Sequence, residues 1–160
     1  MGEPSADNPD AQSIDSVVRA IYETISGPAG ARDWDRERGL FAPGAVLAPT
    51  RPRAEGEGAT AELFDLDGYI ASRSPFFLAD DFFEWEIARQ TFRFGNIAHV
   101  QSAYAAGRRP SDPDPLFRGI NSLQLYWDGR RWWIVSILWD NERPDNPMPD
   151  WAQVTAAGPP

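Results

Sequence analysis

The stretch from residue 84 to residue 140 constrains the fold more than any other. Apolar and polar residues alternate there with the period of two expected of β-strands. Four runs carry the pattern, at residues 84–94, 97–106, 117–127 and 131–140. Gly95-Asn96 and Asp128-Gly129 separate the first and last pairs, and both are hairpin-turn sequences. The prediction is a twisted antiparallel sheet ending in a Trp-rich hairpin. A different period precedes it. Ile14, Val17, Val18, Ile21 and Ile25 fall on one helical face over residues 13–26, and Gly27-Pro28 stops that helix. A second, short helix is predicted over residues 33–41, with Asp33 as its cap and Trp34 and Phe41 on one face. A short strand follows at 45–48, then a polar loop at 51–60. A helix is predicted over 65–78, bent or ended by Pro75. Helices followed by a run of antiparallel strands make an α+β domain.

Register decides which side chains face inward, because a slip of one residue reverses a strand. In the last hairpin, the richest apolar sets are odd-numbered in both strands. They face together if Trp127-Asp128-Gly129 is a bulged turn with Gly129 left-handed. The inner face then holds Asn121, Leu123, Leu125, Trp133, Val135, Ile137 and Trp139. A two-residue Asp128-Gly129 turn would mispair them. The outer face carries Tyr126, Trp132, Ile134 and Leu138, which is too apolar to stay wet. A two-residue turn at Gly95-Asn96 pairs Phe94 with Ile97 and Phe92 with His99. One face then holds Glu86, Ala88, Gln90 and Phe92 opposite His99, Gln101 and Ala103.

The chain has 160 residues, enough for one domain with its own core. Residues 1–11, rich in Pro, Asp and Asn, are expected to be disordered. Residues 12–142 form the domain. Residues 143–160, rich in Pro, form an irregular tail pinned at Trp151. No Cys is present, which removes disulfides and thiolate metal sites. A single His excludes a multi-histidine metal cluster in one chain. No Gly-rich phosphate loop exists, so neither metal nor cofactor is expected. The formal net charge of -9 argues against nucleic-acid and anionic-membrane partners. The pairs Arg108-Arg109 and Arg130-Arg131 read as solvated loop residues. Neither a signal peptide nor a membrane span is evident, and the default location is the cytoplasm.

Several local strings resemble a known superfamily. They are Asp33-Trp34-Asp35, the run from Leu40 to Val46, and the run from Phe94 to Val100. The runs from Arg118 to Leu125 and from Arg131 to Ile137 continue the likeness. The chain resembles the nuclear transport factor 2-like superfamily over residues 12–142, and its C-terminal half resembles a bacterial branch. SnoaL-like polyketide cyclases, ketosteroid isomerase and scytalone dehydratase belong to that superfamily. The resemblance implies a cystatin-like cone, in which a curved sheet wraps the N-terminal helices around a pocket open at one end. It also implies a homodimer through the outer sheet face. Such a fold does not name a function. The position matching the proton-abstracting Asp of ketosteroid isomerase is Pro49, which is no base. The oxyanion-holding Asp matches Asn121, and the first-helix Tyr falls at Ile21 or Tyr22.

His99 and Asn121 are the candidate catalytic residues. An imidazole in an apolar cone moves protons near neutral pH; the alternative is a histidine hydrogen-bonded to Gln90, Gln101 or the backbone. Asn121 is read as a donor to a substrate carbonyl, or as a partner for a neighbouring backbone group or Ser136. The predicted pocket lining comprises Tyr22, Glu86, Gln101 and Ala103 with Leu123, Leu125, Trp133, Val135, Ile137 and Trp139. Two classes of function follow. One is a pocketed protein for a small hydrophobic molecule, with or without lyase or isomerase activity. The other is a non-enzymatic dimerisation module with a filled cone.

Overall fold

The first long helix, α1 (Ile14–Ile25), begins where Ser13 caps it. The Ser13 hydroxyl accepts from the Ser16 N–H, and the Ser16 hydroxyl accepts from the Ser13 N–H. Val17, Val18 and Ile21 are buried, each burial stabilising by about 1.5–3 kcal/mol. A short helix follows, α2 (Trp34–Arg38), capped by Asp33. It is shorter than predicted because Phe41 already belongs to a strand. The computed structural model describes residue 5 and residues 7–153.

Strand β1 (Phe41–Pro52) is much longer than the predicted 45–48, and it takes up the start of the predicted polar loop. It pairs with the short strand β2 (Ala59–Ala61). Helix α3 (Leu66–Ala79) starts at the Asp65 cap, and Pro75 lies within it without ending it. The remaining strands are β3 (Phe83–Phe94), β4 (Ile97–Gly107), β5 (Phe117–Trp127) and β6 (Trp132–Asn141). They form one six-stranded sheet in the order β2-β1-β6-β5-β4-β3. The predicted run of antiparallel strands is present, but the sheet as a whole is mixed, because β1 lies parallel to β6. The helices pack on the inner face, where α1, α3 and the sheet share one core.

The last hairpin departs from the predicted register. Asp128 N–H donates to the Arg131 carbonyl at 3.1 Å, and Gly129, with φ of 100°, stands at the tip with Arg130. Trp127 pairs with Trp132 and Leu125 with Ile134, so odd faces even near the turn. The register then shifts: Gln124 pairs with Ser136, Leu123 with Ile137 and Asn121 with Trp139. The bulge therefore sits at Val135, not at Gly129. It turns Ile134 and Ile137 to the same inner side. Trp132 and Ile134 are core residues, buried to 3% and 0% exposure, and cannot form an outer face. Trp133 and Val135 lie outside instead. The Trp133 indole N–H donates to Asp128, and Val135 is exposed.

Three further expectations change. Arg131 is not a solvated loop residue. It is fully buried, donates to the Trp132, Gly39 and Ser5 carbonyls, and stacks 3.7 Å over the Trp133 ring. The segment before α1 is ordered from residue 7 on: Ala11 is buried, Asn8 donates to the Gly39 carbonyl and Asp10 pairs with Arg36. The tail folds back over the outer face. A short turn, Asp150–Ala152, brings Met148, Trp151 and Ala152 against Ala103, Ala88 and Ile120. Residues 1–4, 6 and 154–160, where other parts of the terminal expectations fall, lie outside the described residues.

Candidate functional site

The predicted pairing of the β3–β4 hairpin is present, with Phe94 opposite Ile97 and Phe92 opposite His99. The face is the opposite one. Ala98, Val100, Ser102 and Tyr104 point inward and are buried, whereas His99, Gln101 and Ala103 point outward. His99 Nε2 lies 2.9 Å from the Ser122 hydroxyl, and its ring stacks near Phe92, itself 57% exposed. His99 has no place in the cavity, and Ala103 lies under the tail. Both residue sets of β4 are small and mild, so local pattern does not separate them. The physical reason is the demand of α1: Tyr22 needs Ser102, and the core needs Val100 and Tyr104.

A cavity of about 600 Å³ opens between α1, α3 and the inner face. Of the predicted lining, Tyr22, Asn121, Ile137 and Trp139 border it. Leu123 and Leu125 are packed solid in the core beyond it. Glu86 shares the inner side of β3 with Glu84, but a bulge at Ile87 separates it from Ala88 and Gln90. It borders a second groove between α1 and β3, bound to Arg89 at 2.8 Å.

Aromatic rings make a large part of the wall. Tyr69 meets Trp139 edge-on at 6.1 Å, and Phe77 and Phe82 lie 5.4 Å apart. Tyr104 crosses Gly119 closely; a Cβ there would strike the Tyr104 hydroxyl and the Asp140 carbonyl. Glycine at this point lets the ring reach the cavity.

Three carboxyl groups border the cavity as well: Asp140, held by Arg143 at 2.6 Å, and Glu37 and Glu84, neither of which is among the predicted site residues. Glu37 on α2 is 3% exposed and accepts from the Thr24 hydroxyl. Burial pushes its carboxyl up to about 7, against the Thr24 hydrogen bond and the Arg36 charge. Glu84 at the start of β3 is pushed up to about 8 by burial, opposed by a hydrogen bond from Asn121 and reinforced by Glu37. The surface of Glu84 is only partly covered, since it borders both the cavity and the second groove. The side chain is nonetheless surrounded by protein, which withholds water from its charged form. Neither carboxyl has an ion-pair partner among the described residues. A signal for Glu37 exists in the sequence: it stands three residues after Trp34 and four before Phe41, on the apolar stripe.

A hydrogen-bond chain runs from the cavity across the inner face of the sheet toward the second groove. Asn121 Nδ2 donates to the Tyr22 hydroxyl at 3.2 Å. The Tyr22 and Ser102 hydroxyls are 2.6 Å apart, and Ser102 donates to Glu86. Because the Ser102 hydrogen is committed to Glu86, the Tyr22 hydrogen goes to Ser102. Arg89 holds the far end through Glu86 and Asp15. Burial raises the Tyr22 and Tyr104 hydroxyls above the ordinary phenol value, so both stay protonated.

No group of His, Asp and Glu able to hold a metal occurs among the described residues. No helix among them is long and apolar enough to cross a membrane. No protein-family model matches the chain, and no curated protein does. Solved structures do. A nuclear transport factor 2-like superfamily protein from Salmonella enterica matches at TM-score 0.54 and 16% identity, over 88% of this chain and 91% of its own. A nuclear transport factor 2-like protein of unknown function from Silicibacter pomeroyi matches at TM-score 0.55 and 17% identity, over 81% and 92%. The association domain of C. elegans CaMKII matches at TM-score 0.53 and 15% identity, over 79% and 92%.

Proposed function

We propose that this chain, which has the nuclear transport factor 2-like fold, binds a small, mainly hydrophobic molecule in the cavity beneath α3. The observation that carries this reading is the cavity itself. Its volume suits a small organic ligand, aromatic and aliphatic side chains form part of its walls, and one cluster of polar groups, Tyr22, Asn121 and Glu84, faces it. The open space favours this reading over a filled cone. Acid–base chemistry by His99 forms no part of the reading, because that ring lies on the other face of the sheet.

Titration with phenylbutanol, followed by amide and indole resonances, tests the proposal. Saturable shifts are expected at Tyr22, Ile137 and the Trp139 indole. Shifts confined to the outer face, or none that saturate, would overturn it.

A second reading concerns self-association. Across four strands the outer face presents Phe94, Ile97, Tyr126 and Trp133 in one row. Phe94 is 84% exposed and Ile97 59%. The tail covers the other part of this face and leaves the row open. We propose that a second copy of the chain covers it. The face is the one expected, but its residues differ: Trp132 and Ile134 are absent from it, while Leu138 stays exposed beside it.

A further inference from the structure

We propose that the cavity takes an amphipathic carboxylate, its apolar body against the aromatic wall and its charged head held by Arg51 and Arg73. This rests on the reading of the cavity as a ligand site and names the ligand class. Two unpaired guanidinium groups on one cavity carry it. The chain has no lysine, so all 15 of its basic side chains are arginines. Most are held by carboxylates, backbone carbonyls or ring faces, as Arg36, Arg89, Arg32 and Arg131 are. Arg51 and Arg73 have no such partner among the described residues, and both border the cavity. With 24 acidic residues in the chain, a shortage of carboxylates does not explain this.

Their placement follows from two periods. On β1, Leu47, Pro49 and Arg51 alternate along the strand, and all three border the cavity. On α3, Tyr69 and Arg73 stand four residues apart, on one face of the helix. The Arg73 charge reaches the Tyr69 hydroxyl and opposes the rise that burial gives it. Tyr69 is 8% exposed, yet its hydroxyl is not sealed off and has no hydrogen-bond partner among the described residues. It opens to the cavity that the residue borders. Phe77, one further turn along α3, begins the aromatic wall with Phe82. A phenol O–H and two guanidinium groups are donors, and a carboxylate accepts from donors only. The planar guanidinium fork matches the two carboxylate oxygens.

The acidic groups on the cavity do not cancel these two charges. Asp140 is held by Arg143, which borders the cavity too. Glu84 already accepts from Asn121, and Glu37 from Thr24. Both are surrounded by protein, and burial raises them to about 8 and about 7, so below these values they are largely neutral. The phenols of Tyr22, Tyr69 and Tyr104 are neutral as well. Below pH 7 the unpaired charge on the cavity is therefore positive, on a chain whose formal net charge is -9. Arg51 is exposed and Arg73 half-buried, so water weakens the attraction and limits the expected gain to about tenfold.

The test is calorimetric titration of phenylbutyrate against its neutral analogue phenylbutanol at about pH 6, where the carboxyl of the probe is ionised. Phenylbutyrate is expected to bind about tenfold more tightly. The preference should shrink toward parity as salt is raised to about 0.5 M. Arg73→Gln and Arg51→Gln should each lower the ratio of the two affinities about threefold, and together bring it to about one. Neither substitution breaks an ion pair within the chain. Should one variant fail to fold, the other and the salt series on the unaltered chain test the same point. Phenylbutanol binding at least as tightly as phenylbutyrate, or a preference untouched by salt or by both substitutions, overturns the carboxylate assignment and leaves the ligand-binding reading intact. Failure of both probes to bind overturns both.

Discussion

Glu37 is a carboxyl on a helix barely one turn long, turned inward against Thr24. Its proton affinity couples stability to pH. From the ordinary value of 4.5 up to about 7, the folded chain keeps a proton that the unfolded chain has released. The contribution of this group is therefore most favourable below 4.5 and falls as pH rises through about 7. Glu84 acts in the same sense up to about 8. Glu37→Gln keeps an acceptor for Thr24 and removes the ionisation. Urea denaturation at about pH 9 should show the variant more stable by on the order of 1–3 kcal/mol. Near pH 4, below the unfolded value, the difference should vanish. A variant whose stability tracks that of the parent across this range would refute the account. His99 and Glu37 show what residue type discloses and what it does not. A lone imidazole attracts attention because it titrates near neutrality, yet it sits outside. An ordinary glutamate, common on any helix, becomes unusual only because α2 turns it into the interior.

At the scale of elements, the strand limits of the last four strands follow from alternation and turn residues, and the observed limits lie within about one residue of the predicted ones. Their facing does not follow so simply. The hairpin places Gly129 and Arg130 at its tip, and one extra residue, Val135, corrects the register farther along. Trp132 and Trp133 thereby exchange the positions expected of them. Substitution separates the two arrangements. Trp132→Ala should cost about 3–5 kcal/mol, the cost of emptying a buried aromatic site. Trp133→Ala, which removes a ring on the outer side, should cost about 1 kcal/mol. Chemical denaturation of the two variants decides between the registers, since equal or reversed losses would contradict the bulge at Val135. Strand β1 is longer than its residues suggest for a related reason. Pro43, Gly44 and Pro49 within it are poor strand residues, and its pairing with β6 and β2 supplies what propensity lacks.

For the whole molecule, the question is what covers the outer face. The tail lies over Ala103 and Ala88, and the row from Phe94 to Trp133 stays open. Sedimentation equilibrium is expected to show a dimer at micromolar concentration. Phe94→Asp with Ile97→Asp should shift it to monomer without loss of the folded state seen by circular dichroism. A parent chain that remains monomeric at high concentration would remove the self-association reading. The cavity, by contrast, belongs to one copy. Its walls come from α1, α2, α3 and five of the six strands, so no single segment announces it.

Local chemistry suffices for the class of fold, the first helix, the four long strands and the hairpin pairing at Gly95-Asn96. These are consequences of period, cap and turn residues, which act over a few positions and can be read along the chain. Long-range packing sets which face of β4 is inside, where the β6 bulge falls, that Arg131 is buried, and that Glu37 and Glu84 share a cavity. Each of these depends on contacts between residues distant in the chain. The bulge shows the difference most plainly in the hairpin itself: a single residue inserted at Val135 reverses two tryptophans. That choice is set by the core packing of Trp132 and Ile134 against Leu125 and α1, which no local pattern contains.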